Sequence, residues 1–527
     1  MLNSSYLNAK STTGTTLRVR DASASSGMCP ICIYECASIC QIGLAALRGR
    51  EALYPMPKYF GFSTAAAVKD FGIDWSHFNL LSTVRGAYGI DEDPDRMLFP
   101  NVSTETSVGN IKLRIPIMMG AYGSTDVARI FWEPLAVGAA LSGVAIIVGE
   151  NVCGVDLEAI ISNGRIVHSR EMERRVKIYR EYWDGKYGDI IVQTNVEDQK
   201  LGVDMYVLSK LEVNCIERKW GQGAKAIGGE IRVADINKAM ELKKRGYLIL
   251  PDPEDPAIQE AYRLGAIKSF ERHSRVGSPK LTDFVEDVAR LREQGAKVVS
   301  IKTGNYRPAD IAYTLKIASE AKVDYVTFDG AGGGTGMSPV PMMDEMGIPT
   351  VYMEAIVLKC IQILSRKGKH VPDIVIAGGF IEETQILKAI ALSNFGSGPY
   401  VKAVVMGRAP ITAAMKAEYF SKLAQEGRLP KIIADEYGLT PDVFLVNYIH
   451  IRNVIGRNPS PGTVGVYNYM ERLRVGMQQL LAGMRKFNLH IIDRNDIVAL
   501  TEIASKVTGI PMPHEVDREA IDTILNC

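Results

Sequence analysis

The sequence has almost no charge to spare. Across 527 residues, 61 Lys and Arg stand against 60 Asp and Glu, a formal net charge of +1. A chain with no basic excess lacks the electrostatic footprint of a general nucleic-acid binder. It also lacks a membrane span. The longest apolar run, Pro134 to Gly149, has 16 residues, is rich in Ala and Gly, and is closed by Glu133 and Glu150. That falls short of the ~20 residues a span requires and predicts a buried helix running into a buried strand. The first twenty residues have no apolar core, so a secretory signal is not expected and a cytoplasmic location is. Cysteine is scarce and unevenly placed: of eight, at 29, 32, 36, 40, 153, 215, 360 and 527, half fall within twelve residues. A disulfide framework would be spread along a small secreted chain; clustering points instead to a metal or an iron–sulfur centre.

What is present is globular. Apolar residues make up 46% and charged residues 23%, ordinary values for a folded chain. From about residue 112 to 410, short runs rich in Val, Ile and Met end in Gly or a polar residue and are separated by helical segments. The predicted strands are Leu113–Ala121, Val144–Glu150, Ile190–Thr194, Val213–Lys219, Val298–Thr303, Tyr325–Asp329, Ile374–Gly379 and Ala403–Gly407. Continuous apolar runs fit parallel strands buried on both faces, and their alternation with helices implies βαβ units. Eight such units predict an α/β fold of the (β/α)8 TIM-barrel type. An open doubly wound sheet is the alternative, but GAYGS at 120–124 does not match its G-x-G-x-x-G fingerprint. Residues 1–27 are expected to form a flexible tail, 28–110 a Cys-rich N-terminal cap, 111–415 the barrel, and 416–527 a helical extension. In that extension Met470, Leu473, Met477, Leu480, Leu481 and Met484 share one apolar helical face. The long insertion between the fourth and fifth strands is expected on the active-site face.

In a barrel the chemistry sits at the C-terminal strand ends, here Glu150, Gln193, Lys219, Lys302 and Asp329. Lys302 closes the run VVSI, so its stem is predicted to lie inside, where a cation needs an anionic or electron-rich partner. Two partners satisfy this: an internal carboxylate, or the N1–C2=O edge of a reduced flavin. Gly378–Gly379 and Gly407–Arg408 close the last two strands, where this fold binds phosphate, and Arg408 can add a bidentate clamp. None of the seven His, at 77, 168, 273, 370, 450, 490 and 514, stands at a predicted strand end. That argues against flavin chemistries that need a strand-end His base.

The segment CPICIYECASIC spaces Cys29, Cys32, Cys36 and Cys40 as C-x2-C-x3-C-x3-C, which is not a ferredoxin spacing. All four fall on one face of a helix, but an unbroken helix would hold the end pair about 16 Å apart. A single cluster therefore requires a turn in the segment or another ligand. Four ligands to one [4Fe-4S] cluster is the expectation; a zinc site and a cysteine-lined core helix are the alternatives.

Several motifs resemble the FMN-binding synthase domain of glutamate synthase. IPIMMGAYGS at 115–124 is similar to that family's first-strand segment, and IVGENVCG at 147–154 to its Gly-Glu loop. ERKWGQGAKAIGGE at 217–230 resembles E-x-K-x-x-Q-G-A-K-x-G-x-G-G. GGGTGMSP at 332–339, IKTG, IAGGF, MGRAP and YNYMERLRVGMQQLLAGM follow in the family's order. The resemblance implies FMN as cofactor and reductive amination of 2-oxoglutarate by ammonia through 2-iminoglutarate. It assigns catalysis to Glu150, Lys219, Gln222 and Lys225. It assigns flavin binding to Met119, Gly120, Ala121, Gln193, Lys302, Gly333, Gly334, Thr335, Gly378, Gly379, Gly407 and Arg408. Arg232 is a weaker carboxylate candidate.

Departures from the family accompany these matches. The sequence begins Met1-Leu2 rather than with the family's nucleophilic Cys, so no glutaminase domain is expected and ammonia is expected free or from a separate glutaminase subunit. The family's iron–sulfur cysteines after the eighth strand are absent from ITAAMKAEYFSKLAQEG, which leaves the N-terminal cysteines as the expected electron port for ferredoxin or a reductase subunit. Relatives that make N-methylglutamate share this domain, so an amine can replace ammonia; a non-catalytic electron-transfer subunit is the other alternative. An oligomer is expected, with neither nucleic acid nor membrane as partner.

Overall fold

The computed structural model describes residues 71–331, 333–334 and 337–526. Cys29, Cys32, Cys36, Cys40 and Thr335 lie outside the described residues. The eight predicted runs form a closed parallel barrel, here numbered β1 Ile117–Tyr122, β2 Ala145–Val148, β3 Ile190–Thr194, β4 Cys215–Lys219, β5 Val298–Thr303, β6 Tyr325–Asp329, β7 Asp373–Ala377 and β8 Val401–Met406. Each strand pairs with its chain neighbour, and β8 closes on β1. Residues at alternate positions point in and out. Met119, Ile146, Val192, Ile216 and Ile301 therefore face the helices, while Met118, Ile147, Ile191, Cys215 and Val375 fill the lower barrel interior.

The expected first strand is in fact two elements. Ile111–Leu113 pairs antiparallel with Thr106–Val108 in a hairpin, and β1 begins only after Pro116, whose ring fixes φ and removes a ladder donor. Val108, Ile111 and Leu113 of the hairpin are buried with the interior side chains and plug the N-terminal end of the barrel. The seventh strand ends at Ala377 rather than Gly379, because Gly378 and Gly379 take φ of +114° and +95°, outside the β region.

The run from Pro134 behaves as expected. Helix α1, Trp132–Ser142, ends at Gly143 in a left-handed C-cap and leads into β2. The eighth barrel helix, α2, spans Arg408–Gln425. The long helix α3, Pro461–Gly483, packs on both. Gly138 and Gly465 permit the close approach: a Cβ on Gly138 would lie 2.5 Å from Val466, and one on Gly465 2.6 Å from the Ala413 carbonyl. Met470, Leu473, Met477, Leu481 and Met484 are core residues, with Leu480 at the edge. Phe78–Leu80 pairs with Ile497–Ala499, joining the N-terminal and C-terminal segments.

The insertion after β4 builds a three-stranded antiparallel sheet in the order Glu230–Val233, Phe270–His273, Leu248–Leu250. It has a small core of its own around Ile231, Leu242, Tyr247 and Phe270. It stands beside the C-terminal strand ends, where the Gly229–Glu230 junction meets Glu150.

Candidate active site

The barrel interior changes character near its C-terminal mouth. Above the apolar filling, Gln193 on β3, Glu217 on β4, Lys302 on β5 and Thr327 on β6 are all buried. Strand alternation requires this: Cys215, Glu217 and Lys219 share the inner face of β4. Gln193 Nε2 donates to Glu217 Oε1 at 2.6 Å, and Thr327 Oγ1 to Glu217 Oε2 at 3.4 Å. Burial raises the Glu217 carboxyl above its ordinary range; the charge of Lys302, the Gln193 bond and Lys219 oppose that rise. Lys302 Nζ lies 3.7 Å from Asp329 Oδ2, so of its two expected partners the internal carboxylate is in place.

Glu150, Lys219 and Gln222 come together at the mouth. Lys219 Nζ lies 2.6 Å from both Glu150 Oε1 and Gln222 Oε1. Burial resists ionisation of Glu150, but Lys219, a backbone amide and the charge of Lys225 outweigh it and bring the carboxyl down to about 2. Lys225 lines the same cleft. Its Nζ turns to Glu230, donating to the carbonyl at 3.0 Å and facing the carboxylate at 3.4 Å. Burial lowers Lys225 and raises Glu230, so each is driven toward neutrality against the attraction of the other. Arg232 stands in the insertion sheet and is not among the residues lining the cleft. The cleft holds only about 30 Å3, room for one water; a dicarboxylate enters only if the loops around Trp220–Gly229 and Arg275–Gly277 part.

The loop that carries Glu150 is anchored from behind by residues the sequence reading did not single out. Asn151, at φ +64°, donates its backbone N–H to Asp198 at 2.9 Å and its side-chain amide to Ser274 Oγ at 3.0 Å. Arg272, 1% exposed, donates to Ser274 Oγ at 2.6 Å and Ser124 Oγ at 3.1 Å. Burial pushes Asp198 up to about 7 against the amides of Asn151 and Asn195. No local pattern marks these residues, because they converge from four separated segments, around Ser124, Asn151, Asp198 and Arg272–Ser274. Glu217 was legible: it is two residues before Lys219, and strand period places both inside.

The expected cofactor residues form a ring around the mouth. Gly120 and Ala121 close β1, and the Tyr122 hydroxyl ties that end to the Gly407 carbonyl at 3.0 Å. Met119 faces the helix layer, fully buried, leaving only its backbone for any ligand. The loops after β6 and β7 touch backbone to backbone: a Cβ at Gly378 would lie 2.6 Å from Thr350 Oγ1 and 2.7 Å from the Gly330 carbonyl. Gly333 and Gly334 are partly buried in the first of these loops, and Gly379 is exposed in the second. Gly407 is the N-cap of α2. Arg408 beside it is half-buried, its basicity lowered by burial, with no carboxylate partner among the described residues. A helix N-terminus next to an unpaired guanidinium suits an anion.

Residues 266–408 match the family described as the conserved region in glutamate synthase. An archaeal-type glutamate synthase [NADPH] of Thermotoga maritima is 27% identical over 310 residues, 58% of this chain and 50% of the relative. A glutamate synthase large subunit-like protein of Rhizobium meliloti is 25% identical over 265 residues, 46% of this chain and 54% of the relative. An archaeal glutamate synthase [NADPH] of Archaeoglobus fulgidus is 29% identical over 213 residues, 39% of this chain and 36% of the relative. The chain thus spans about half the length of the curated relatives it matches, or less. Among solved structures, a flavocytochrome b2 with sulfite bound aligns at TM-score 0.46 and 14% identity, over 87% of this chain and 86% of its own. A chimeric (S)-mandelate dehydrogenase aligns at TM-score 0.42 and 14% identity, over 81% and 88%. No helix among the described residues is long and apolar enough to cross a membrane.

Proposed function

We propose that this protein is a flavin-dependent oxidoreductase of the glutamate synthase type that reductively aminates 2-oxoglutarate. The observation that carries the reading is the Glu150–Lys219–Gln222 constellation in one cleft, at the mouth of a barrel whose last two loops offer an anion cradle. When bound, FMN would supply the hydride for the imine carbon; its phosphate fits the α2 N-terminus, Arg408 and the Gly378–Gly379 loop, and its ring the polar layer of Gln193 and Lys302.

The chain's own groups account for the rest. Lys219 supplies positive charge for a dicarboxylate, and Lys225 lines the same cleft as a further donor. Gln222 already accepts from Lys219 through Oε1, which turns its Nε2 outward as a donor to the keto oxygen. Glu150 is ionised at neutral pH and uses Oε1 for Lys219. Its Oε2 takes the proton released as nitrogen adds to the keto carbon and returns it to the oxygen that leaves as water.

Electrons would arrive through an iron–sulfur cluster on Cys29, Cys32, Cys36 and Cys40. The support is the clustering of these four cysteines within twelve residues of sequence. Further along, the Phe71 carbonyl accepts from Tyr352 at 3.3 Å, and Trp75 packs on Phe380, ring centroids 5.9 Å apart. Phe380 directly follows Gly378–Gly379, so Trp75 lies beside the cofactor loop. The reading is tested anaerobically with reduced ferredoxin or viologen, 2-oxoglutarate, and ammonia or methylamine. Reductant consumption with formation of glutamate or N-methylglutamate is expected; no turnover with either nitrogen source overturns it in favour of a non-catalytic subunit.

A further inference from the structure

We infer that Glu217 is a positioning residue that fixes the amide of Gln193 with its oxygen outward, so that the barrel prefers a ring ligand bearing an N–H at that point. The inference rests on the flavin reading above. Gln193 is 1% exposed on β3, and Glu217 is fully buried opposite it in the strand register. Both oxygens of Glu217 accept hydrogen bonds here, from Gln193 and from Thr327. With Glu217 Oε1 at 2.6 Å, the nitrogen end of the Gln193 amide must face it. The other end is then fixed as an acceptor, and Gln193 Oε1 is buried with no hydrogen-bond partner among the described residues. A buried acceptor without a donor is costly, and a bound group can satisfy it.

Burial raises the Glu217 carboxyl, and the groups around the pair oppose that rise. Lys302 and Lys219 both favour the ionised form of Glu217, and Thr327 donates to its second oxygen. The two oxygens of Glu217 are thereby committed within the barrel wall. Glu217 cannot itself meet a ligand ring; it acts through Gln193. The chemistry of the ring completes the inference. An oxidised isoalloxazine carries a single N–H, at N3, so an outward-facing amide oxygen recognises that edge alone.

The test uses the full-length protein after flavin removal, titrated with FMN and with 3-methyl-FMN, binding being read from quenching of flavin fluorescence. Wild type is expected to bind FMN at least tenfold more tightly than the 3-methyl analogue. Glu217→Gln leaves the Gln193 amide able to face either way; it is expected to bind FMN still, with the preference below threefold. If Glu217→Gln fails to fold by circular dichroism, Glu217→Met carries the same expectation. Equal affinity of wild type for both flavins overturns the inference while leaving the flavin reading intact. So does a preference that survives both variants. Failure of wild type to bind either flavin removes the flavin reading, and this inference with it.

Discussion

Lys219 Nζ lies 2.6 Å from Glu150 Oε1, although 69 residues of chain and the whole of β3 separate the two. Both side chains are largely enclosed, at 9% and 16% exposure. Taking either charge out of water alone would be costly; together they hold the carboxylate ionised, with its pKa brought down to about 2. A carboxylate kept ionised beside a lysine and an amide is the arrangement on which the proposed proton transfer depends, and the predictions begin from it.

Lys219→Met removes the counter-charge and leaves burial of Glu150 opposed only by a backbone amide and the more distant Lys225. The Glu150 carboxyl should then rise from about 2, and the acid limb of the pH–rate profile, which lies below pH 4 in wild type, should move up into the measured range. Turnover should fall by ~10²–10⁴-fold, the range for loss of a positioned acid–base group. Steady-state rates from pH 4 to 9 check both. An unmoved acid limb would show that Glu150 is not the base.

Stability should follow the same pair. Glu150 in the fold, at about 2, lies below its unfolded value of about 4.3. Its contribution is therefore complete above the unfolded value and is lost as pH falls from there toward 2. Urea-unfolding midpoints measured from pH 6 to 3 should decline less steeply for Glu150→Gln than for wild type. Parallel declines would place the acid sensitivity elsewhere.

Glu354 has the opposite sign. It is fully buried in the helix Thr350–Arg366, with neither carboxyl oxygen hydrogen-bonded among the described residues. Burial raises it well above its ordinary range, and Arg494 only partly opposes this. The unfolded chain ionises above about 4.3 while the fold keeps the proton, so this group costs stability progressively as pH rises past that value. Glu354→Gln should raise the thermal midpoint at pH 8 and leave it almost unchanged at pH 4. Differential scanning calorimetry at the two pH values decides; equal effects at both would mean packing, not ionisation, governs the site.

Gly378→Ala should damage the cradle. Its φ of +114° is unfavourable for an L side chain, and the new Cβ would meet Thr350 Oγ1 at 2.6 Å and the Gly330 backbone at 2.7 and 2.9 Å. Gly396, at φ +103° with open space around it, is the matched control, since alanine there suffers only the backbone strain of ~1–2 kcal/mol. Gly378→Ala should lower the thermal midpoint by several degrees more than Gly396→Ala and reduce co-purifying flavin. Equal losses in the two variants would show that the β6–β7 loop contact is not tight in solution.

The strand runs, the helical face of α3 and the Gly-ended motifs were local signals. Burial on both faces writes itself as continuous Val, Ile and Met, and a loop that approaches another backbone writes itself as Gly. The eight strands, the barrel they form and the placement of Glu150, Lys219, Gln222 and Lys225 near one another were therefore readable from sequence order. The hairpin beneath the barrel was not anticipated: the predicted first strand took in only its last residue, Leu113, because Pro116 is a weak punctuation mark inside an apolar run. The insertion's antiparallel sheet was not anticipated, since its short strands carry mixed polarity.

By itself the sequence determined which residues could face inward and which strand ends carried charge, because period and composition act over a few residues. Only the tertiary structure decided pairing. It set Lys219 on Glu150, Lys225 on Glu230, Lys302 on Asp329 and Gln193 on Glu217. The physical reason is that each buried charge must find its partner across strands or loops that only barrel closure brings within hydrogen-bond reach.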